Sequence, residues 1–534
     1  MSSMAVETAS ENPPPTSQYR PAVQVSQGIA SLCHIYFDEK LYQSALNLVT
    51  ALANSGTSHP DSAKIPALAP LPIHIEAVSI LLVHPEYTTQ APHNERAELA
   101  SRSISFLRSV LSNIGPLNAN LAEAFSFKPP RSRGRRRHGG DDTSSSDEEE
   151  ETSKLKGVIM NKGRIRTCAT DFWHVVGWAL NCSVVHRKRW KHWKIWLDYM
   201  LDVLDADWNE REAQDQANET AEDAFGMRRK SLLAVYLSSV RGRSSALKRV
   251  VGSIFADGGS EDLRAYPEIF TNETLELKAQ SGHKRKREDS FENYNDTEED
   301  NFECEFEAPA PSQETDDGNW YSATDPWIGG PESIQIRQRL LTLLSRVAYY
   351  LPEDFVSLRD LYGAYCDNLK SLPLPGFSLL MSPSASSQLL TAVFVSLSQL
   401  FMSRILSSNA TRPRSVSMGS GDDLSQNIVE KCFLPFAANT SSAEDNAKVS
   451  ILAESMLRLL CLKDSRVSHS RDLEKAVDMG IRARETKCKY DKRKKDNGAR
   501  RKEEEEARKW LIGSGKRLKS MLNFIEQYSH SDED

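Results

Sequence analysis

The sequence has no long hydrophobic run and no closely paired cysteines, and both absences exclude classes of protein. No stretch approaches the roughly 18 apolar residues that cross a bilayer, and residues 1–20 are polar and proline-rich, unlike a secretory signal. The eight cysteines are scattered without a Cys-x-x-Cys pair, which argues against a disulfide framework or a zinc ribbon. We therefore expect a soluble protein of a reducing compartment, without contact to a membrane.

Sequence motifs of catalysis are also missing, since neither Gly-x-Ser-x-Gly, His-Glu-x-x-His nor a kinase signature occurs. Residues 513–516, Gly-Ser-Gly-Lys, resemble the end of a phosphate-binding loop. Trp510, however, stands where that loop requires its first glycine, and Arg517 stands where it requires Ser or Thr. We predict that the protein is not an enzyme.

One compact set of potential metal ligands is present, namely Cys182, His186 and His192. Five Lys or Arg lie between residues 187 and 194 and would repel a cation, and no carboxylate stands close by in sequence to offset them. We therefore predict neither a metal site nor a cofactor.

Strand signals are nearly absent, because no two alternating apolar runs are joined by an Asn-Gly or Asp-Gly turn. Apolar residues instead recur at helical spacing. We predict an all-α fold in which helical-repeat or irregular helical-bundle units are separated by disordered charged inserts. A chain of 534 residues exceeds what one hydrophobic core usually serves, so two or three such units are expected.

Changes in composition divide the chain into seven segments. The predicted order is a disordered leader (1–20), an N-terminal helical unit (21–128), a disordered linker (129–156), a tryptophan-rich helical unit (157–256), a disordered acidic insert (257–325), a C-terminal helical unit (326–470) and a charged helical tail (471–534). The insert is the most acidic, since residues 288–317 contain thirteen Asp or Glu and no Lys or Arg. Such sequence cannot bury enough apolar surface to offset its ordering entropy.

The beginning of the N-terminal unit has a repeat-like pattern over residues 26–60. Its matching positions are Leu32, Cys33, Tyr36, Ala45 and Val49, followed by Pro60. These positions resemble the Leu, small, Tyr, Ala and Phe-like positions of a tetratricopeptide-type helical repeat, although the initial Trp of that family is missing and Leu52 stands where Ala is usual. The resemblance implies a pair of antiparallel helices.

Six of the nine tryptophans fall within 36 residues, and they are Trp173, Trp178, Trp190, Trp193, Trp196 and Trp208. Trp190, Trp193, Trp196 and Met200 recur at helical spacing, whereas the gaps are filled by Arg187, Lys188, Arg189, Lys191 and Lys194. This pattern predicts an amphipathic helix whose apolar stripe packs in a core and whose basic residues face water. Two alternatives remain open: a groove for a partner protein, and stacking on single-stranded bases.

Two basic clusters are typical of nuclear import signals. The first is Lys284, Arg285, Lys286 and Arg287, which an importin groove would read as consecutive basic side chains. The second comprises Lys492, Arg493, Lys494 and Lys495 with Arg500, Arg501 and Lys502, and it could instead contact nucleic-acid phosphates. A chance cluster in disordered sequence is the alternative for the first. We predict a nuclear protein with importin as one partner.

The acidic stretches and the tail carry further candidates. Ser144, Ser145, Ser146 and Ser531 each have an acidic residue three positions later, so we predict that acidophilic kinases phosphorylate them. A merely solubilising linker is the alternative. The tail has Lys or Arg at eleven of the 22 positions 481–502, and an apolar stripe follows at Leu518, Met521, Leu522 and Ile525. We predict a long solvated helix whose tip docks on the body or on a partner.

Together these features favour a non-enzymatic nuclear scaffold or adaptor in a multisubunit chromosome-maintenance assembly, such as DNA repair, replication or chromatin regulation. The acidic and basic blocks suit contacts with chromatin. A scaffold in RNA processing or ribosome biogenesis is one alternative. A protein that binds DNA or RNA directly through the basic tail and the tryptophan-rich helix is the other. The adaptor itself is expected to contact DNA or RNA only weakly and without sequence preference.

Overall fold

We describe the fold from a computed structural model. The described residues are 19–91, 93–127, 155, 157, 163–217, 223–240, 243–275, 329–383, 387–416, 424–463, 467–488 and 498–531. Most of the predicted leader, linker and acidic insert lies outside these ranges. The described part is all-α, as the sequence predicts, with nineteen α-helices and one pair of three-residue strands. None of its helices is both long and apolar enough to cross a membrane.

The elements fall into three successive groups. The first is β1 (Ala22–Gln24), α1 (Gln27–Asp38), α2 (Tyr42–Ala53), β2 (Ala67–Ala69), α3 (Pro72–Val83), α4 (His93–Asn113) and α5 (Leu121–Ala124). The second is α6 (Ile165–Cys168), α7 (Phe172–Val185), α8 (Arg187–Ala217), α9 (Leu232–Ser238), α10 (Arg243–Phe255) and α11 (Ser260–Ala265). The third is α12 (Pro331–Tyr350), α13 (Leu358–Ser371), α14 (Leu374–Leu380), α15 (Thr391–Ile405), α16 (Gln426–Ile428), α17 (Ala443–Lys463), α18 (Arg471–Lys487) and α19 (Gly498–Ser531).

Several helices begin where the sequence supplies a cap. At the starts of α7, α13 and α18, the side chains of Asp171, Ser357 and Ser470 each accept a hydrogen bond from the backbone N–H three residues later. These bonds satisfy backbone donors that the helix itself leaves free. Pro72 and Pro331 occupy the first positions of α3 and α12, where proline costs no hydrogen bond.

The repeat-like pattern corresponds to the helix pair α1–α2. A short parallel ladder, with Ala22 opposite Ala67 and Gln24 opposite Ala69, joins β1 to β2 on either side of this pair. Arg20, which we predicted to lie in a disordered leader, is buried instead. Its guanidinium donates to the carbonyls of Ser55 and Ser62, each at 2.9 Å. This contact could not be predicted from the sequence, because both acceptors are backbone atoms.

The three groups share one hydrophobic core. Helix α7 packs between α8 and α10, α3 packs against α4 and α8, and α8 also contacts α12. Buried side chains from all three groups therefore belong to a single contiguous cluster. The division of the chain into separate units stays a prediction.

Residues 257–275 form part of this core, so the predicted acidic insert begins too early. Helix α11 packs against α7, and Tyr266, Ile269 and Phe270 are buried. The ring of Tyr266 lies directly over Gly177 of α7, where even a methyl group would collide with it. The sequence analysis judged the segment by its mostly polar composition, so these few buried residues were not recognised.

The end of the chain packs more extensively than predicted. Helix α19 runs along α17, and its buried residues are Ala507, Leu511, Gly513, Ser514, Gly515, Leu518, Leu522 and Ile525. The prediction that only its tip docks was therefore wrong. Small residues at 513–515 allow close approach of the helices but contribute little to a hydrophobic pattern, which is why the sequence concealed this contact.

Candidate functional site

The predicted tryptophan stripe lies inside the molecule. Trp190, Trp193, Trp196 and Met200 of α8 are all buried. The Trp193 ring meets Trp196 edge to face and stacks on Phe270, with centroid distances of 5.9 Å in both cases. These rings pack against other core residues, so the stripe does not line an open groove.

A buried carboxylate organises the centre of this core. Glu273 accepts hydrogen bonds from the indole Nε1 atoms of Trp178 and Trp193, the latter at 3.1 Å. Arg189 Nε lies 3.5 Å from the same carboxylate. Burial raises the pKa of Glu273, while the Arg189 charge and the indole donors oppose that rise. The arrangement fixes the segment after α11 to α7 and α8.

Arg189 corrects our prediction that the basic residues of α8 face water. It is buried, donates to Thr88 Oγ1 at 2.8 Å and also donates to the Val83 carbonyl. Arg187, Lys188 and Lys191 are exposed as predicted, and Lys194 is half-buried. A helical pattern could not reveal the exception, because Glu273 lies far away in sequence.

Cys182, His186 and His192 do not assemble a metal site in the structure. Cys182 is buried, and burial raises the pKa of its thiol well above the ordinary value. His186 and His192 are half-buried. Among the residues that the structure describes, no group of three His, Cys, Asp or Glu is placed to hold a metal ion.

Most of the other predicted site residues fall outside the described ranges. These are Ser144, Ser145, Ser146, Lys284, Arg285, Lys286, Arg287, Lys492, Arg493, Lys494 and Lys495. Arg500 and Ser531 belong to α19, but their side chains are not described. Arg501 and Lys502 are exposed in the first turns of α19.

One exposed surface differs from the rest of the molecule because it carries almost no charge. Residues 21–60 contain only three charged side chains, Asp38, Glu39 and Lys40, all at the turn between α1 and α2. We define the neutral face as the exposed residues of this helix pair. They are Gln27, Gly28, Ser31, Leu32 and Ile35 of α1 with Gln43, Ser44, Asn47 and Ala51 of α2. Ile35 is 55% exposed.

The helices beneath the neutral face are held firmly from behind. His34 Nδ1 and His74 Nε2 are hydrogen-bonded at 3.0 Å, and Phe37 stacks on His74. Burial, with a smaller effect of the His34 ring, lowers the pKa of His74 to about 3. A hydrogen bond of 2.5 Å joins the hydroxyls of Tyr42 and Tyr87. The neutral face is therefore presented on a fixed framework.

A shallow groove continues the neutral face toward α4. It has a volume of about 540 Å³ and is lined by Leu46, Asn47, Thr50, Ala51, Asn54, Ser101, Arg102 and Ser105. Arg102 is the one charged residue in this lining, and it forms an ion pair with Glu98 at 2.7 Å. Asn47 and Ala51 belong to both surfaces, so face and groove are continuous.

Comparison with known proteins adds no assignment. No family model, no curated protein and no solved structure matches this chain. The scarcity of charge in residues 21–60 could have been read from the sequence, where charged residues make up 26% overall. The sequence alone did not identify an uncharged surface there, because only the fold shows which of these neutral side chains are exposed.

Proposed function

We propose that this protein is a non-enzymatic scaffold or adaptor that binds a partner protein through the neutral face. The absence of charge on this face is the observation that carries the proposal. Interface cores are depleted of charged residues because a charge loses its hydration when the partner covers it. Leu32 and Ile35 supply apolar area, while neighbouring Gln, Ser and Asn side chains can form hydrogen bonds across the contact.

We place this activity in the nucleus, within a chromosome-maintenance assembly. The support is the basic sequence Lys284 to Arg287, together with the acidic tracts that would suit basic chromatin proteins. A scaffold for RNA processing or ribosome biogenesis is the competing assignment, and the proteins that bind the neutral face distinguish the two.

The test is affinity purification from nuclear extract with and without nuclease, using wild type and the Ile35→Lys variant. Leu462→Lys is the matched control, because Leu462 is also an exposed apolar residue in the last turn of a helix, where lysine suits the helix dipole. We expect Ile35→Lys to lose partners that wild type and control retain, regardless of nuclease, with thermal melting unchanged.

Retention of every partner by Ile35→Lys would refute the neutral face as the docking surface. Partners that disappear with nuclease from all three samples would favour direct nucleic-acid binding. The identities of the proteins lost with Ile35→Lys then decide between chromosome maintenance and RNA maturation.

A further inference from the structure

Helix α19 changes the sign of its charge along its length. Glu503 to Glu506 occupy its second turn, whereas residues 507–525 contain five Lys or Arg and no Asp or Glu. This half of the helix therefore carries a net positive charge in a chain whose net charge is −7. An uneven distribution of charge of this kind affects which partners a protein binds rather than how it folds.

The five cations of this half divide into two sets. Arg508 and Arg517 turn toward the body: Arg508 donates to the Cys488 carbonyl and Arg517 to Glu454, each at 2.8 Å. Lys509, Lys516 and Lys519 are exposed. Their spacing of seven and three residues places them on one side of the helix, away from buried Leu511 and Leu518.

Helix α18 adds a fourth cation beside this row. Lys519 Nζ lies 3.2 Å from Asp478, and Gly515 lies against Ile481, so the two helices run antiparallel. This register brings exposed Arg482 next to Lys516. We name Arg482, Lys509, Lys516 and Lys519 the cationic ridge.

Three of the four ridge cations are available to an external anion. Among the contacts of the described residues, Lys519 has an anionic partner, whereas Arg482, Lys509 and Lys516 have none. Ten residues separate Lys509 from Lys519, which corresponds to about 15 Å of helix. Duplex phosphates follow one another at about 3.4 Å per strand along the axis, so the row matches about four phosphates.

We propose that the cationic ridge binds the phosphate backbone of a nucleic-acid duplex without reading its sequence. A duplex is favoured over single strands because no aromatic ring is exposed between Lys509 and Lys519, and the exposed Phe524 lies beyond the end of the row. Trp510, the aromatic residue of this part of α19, lies on another side and lines a cavity with Leu374 and Pro375. A membrane surface is disfavoured, since Ile512 is the one exposed large apolar residue between Lys509 and Lys519.

The test measures the salt dependence of binding between the full chain and a mixed-sequence duplex of about 20 base pairs. The ridge variant is Lys509→Gln with Lys516→Gln and Lys519→Gln. The control is Lys64→Gln with Lys248→Gln and Lys431→Gln, which removes the same charge from exposed positions elsewhere. Fluorescence anisotropy between about 50 and 200 mM salt gives the slope of log K against log salt.

The ridge variant should reduce the magnitude of this slope by about 2, one each for the unpaired Lys509 and Lys516, and by up to about 3 where a phosphate replaces Asp478 at Lys519. Binding at low salt should weaken at least about tenfold. The control should keep the slope of wild type, and melting curves should agree for all three. An unchanged slope in the ridge variant would overturn the proposal. It would also fail if the ridge variant lost binding to an Asp/Glu-rich peptide or to phosphatidylserine vesicles while binding the duplex as wild type does.

Discussion

Two buried glutamates attach late parts of the chain to the helical framework, and they do so in different surroundings. The Glu273 side chain is fully buried, and its partner Arg189 is only 2% exposed. Glu454 is 6% exposed, but its partners Arg458 and Arg517 are 39% and 30% exposed. The same residue type thus forms a dry ion pair in one region and a partly hydrated one in the other.

This difference determines what happens when the carboxylate is removed. Arg189 would remain charged in a site that water does not reach, and an unpaired buried charge is among the costliest defects in a protein. Arg458 and Arg517 can recover hydration at the surface. We therefore expect the central pair to govern the stability of the whole core and the Glu454 cluster to govern mainly the docking of α19.

The largest effect is expected for Glu273→Leu. Loss of the carboxylate leaves the buried Arg189 charge without its counterion and two indole N–H groups without their acceptor, so the free energy of unfolding should fall by about 3–5 kcal/mol. Urea unfolding followed by tryptophan fluorescence measures it. The double variant Glu273→Leu with Arg189→Met should recover much of the loss, because no charge is then left buried. A cost below that of Glu454→Leu would contradict the comparison.

A smaller and more local effect is expected for Glu454→Leu. The hydroxyl of Ser514 donates to Glu454 at 3.0 Å. Losing this hydrogen bond and the two arginine contacts should lower the free energy of unfolding by about 1–2 kcal/mol. Hydrogen exchange should accelerate in α19, whereas α7 and α8 should exchange as in wild type. Uniform acceleration throughout the chain would show that α19 does not open independently.

The smallest effect is a pH dependence, tested with Glu273→Gln. Because the folded-state pKa of Glu273 is raised above 4.5 by burial, its contribution to stability is present below pH 4.5 and is lost as the pH rises through the folded-state pKa. The stability of wild type relative to Glu273→Gln should therefore decline from about pH 4 to pH 7. Urea unfolding across this range measures it, with Glu454→Gln as the parallel control. An increase in the stability of wild type relative to Glu273→Gln over this pH range would contradict the prediction.

The sequence was sufficient to predict the helices and the all-α class, because helical periodicity is a local property. The first residues of α3 and α12 follow from Pro72 and Pro331, because proline is favoured in the first turn of a helix. The ladder between β1 and β2 was not predictable, since three-residue strands rich in alanine carry no alternating pattern.

The polar interior required the structure. Arg189 belongs to a basic run that reads as a water-exposed face, and its carboxylate partner lies in a segment whose composition predicts disorder. The cationic ridge was similarly hidden, because sequence does not tell that Arg508 and Arg517 turn inward while Lys509 and Lys516 stay outside. Pairings between distant residues depend on tertiary packing, which a single sequence does not specify.

The attachment of Glu273 to Trp178 has a consequence for chain-length variation. Trp178 and Ser183 both belong to α7 and lie five residues, or about 7.5 Å, apart along its axis. Glu273 contacts Trp178, whereas Gly329, where the described chain resumes, contacts Ser183. The chain thus contacts neighbouring points of α7 at Glu273 and again at Gly329, although 55 residues separate the two in sequence. A reporter domain inserted between residues 276 and 328 should therefore leave the melting temperature of the helical body nearly unaltered, because the entropic cost of joining two fixed points rises only slowly with the number of residues between them.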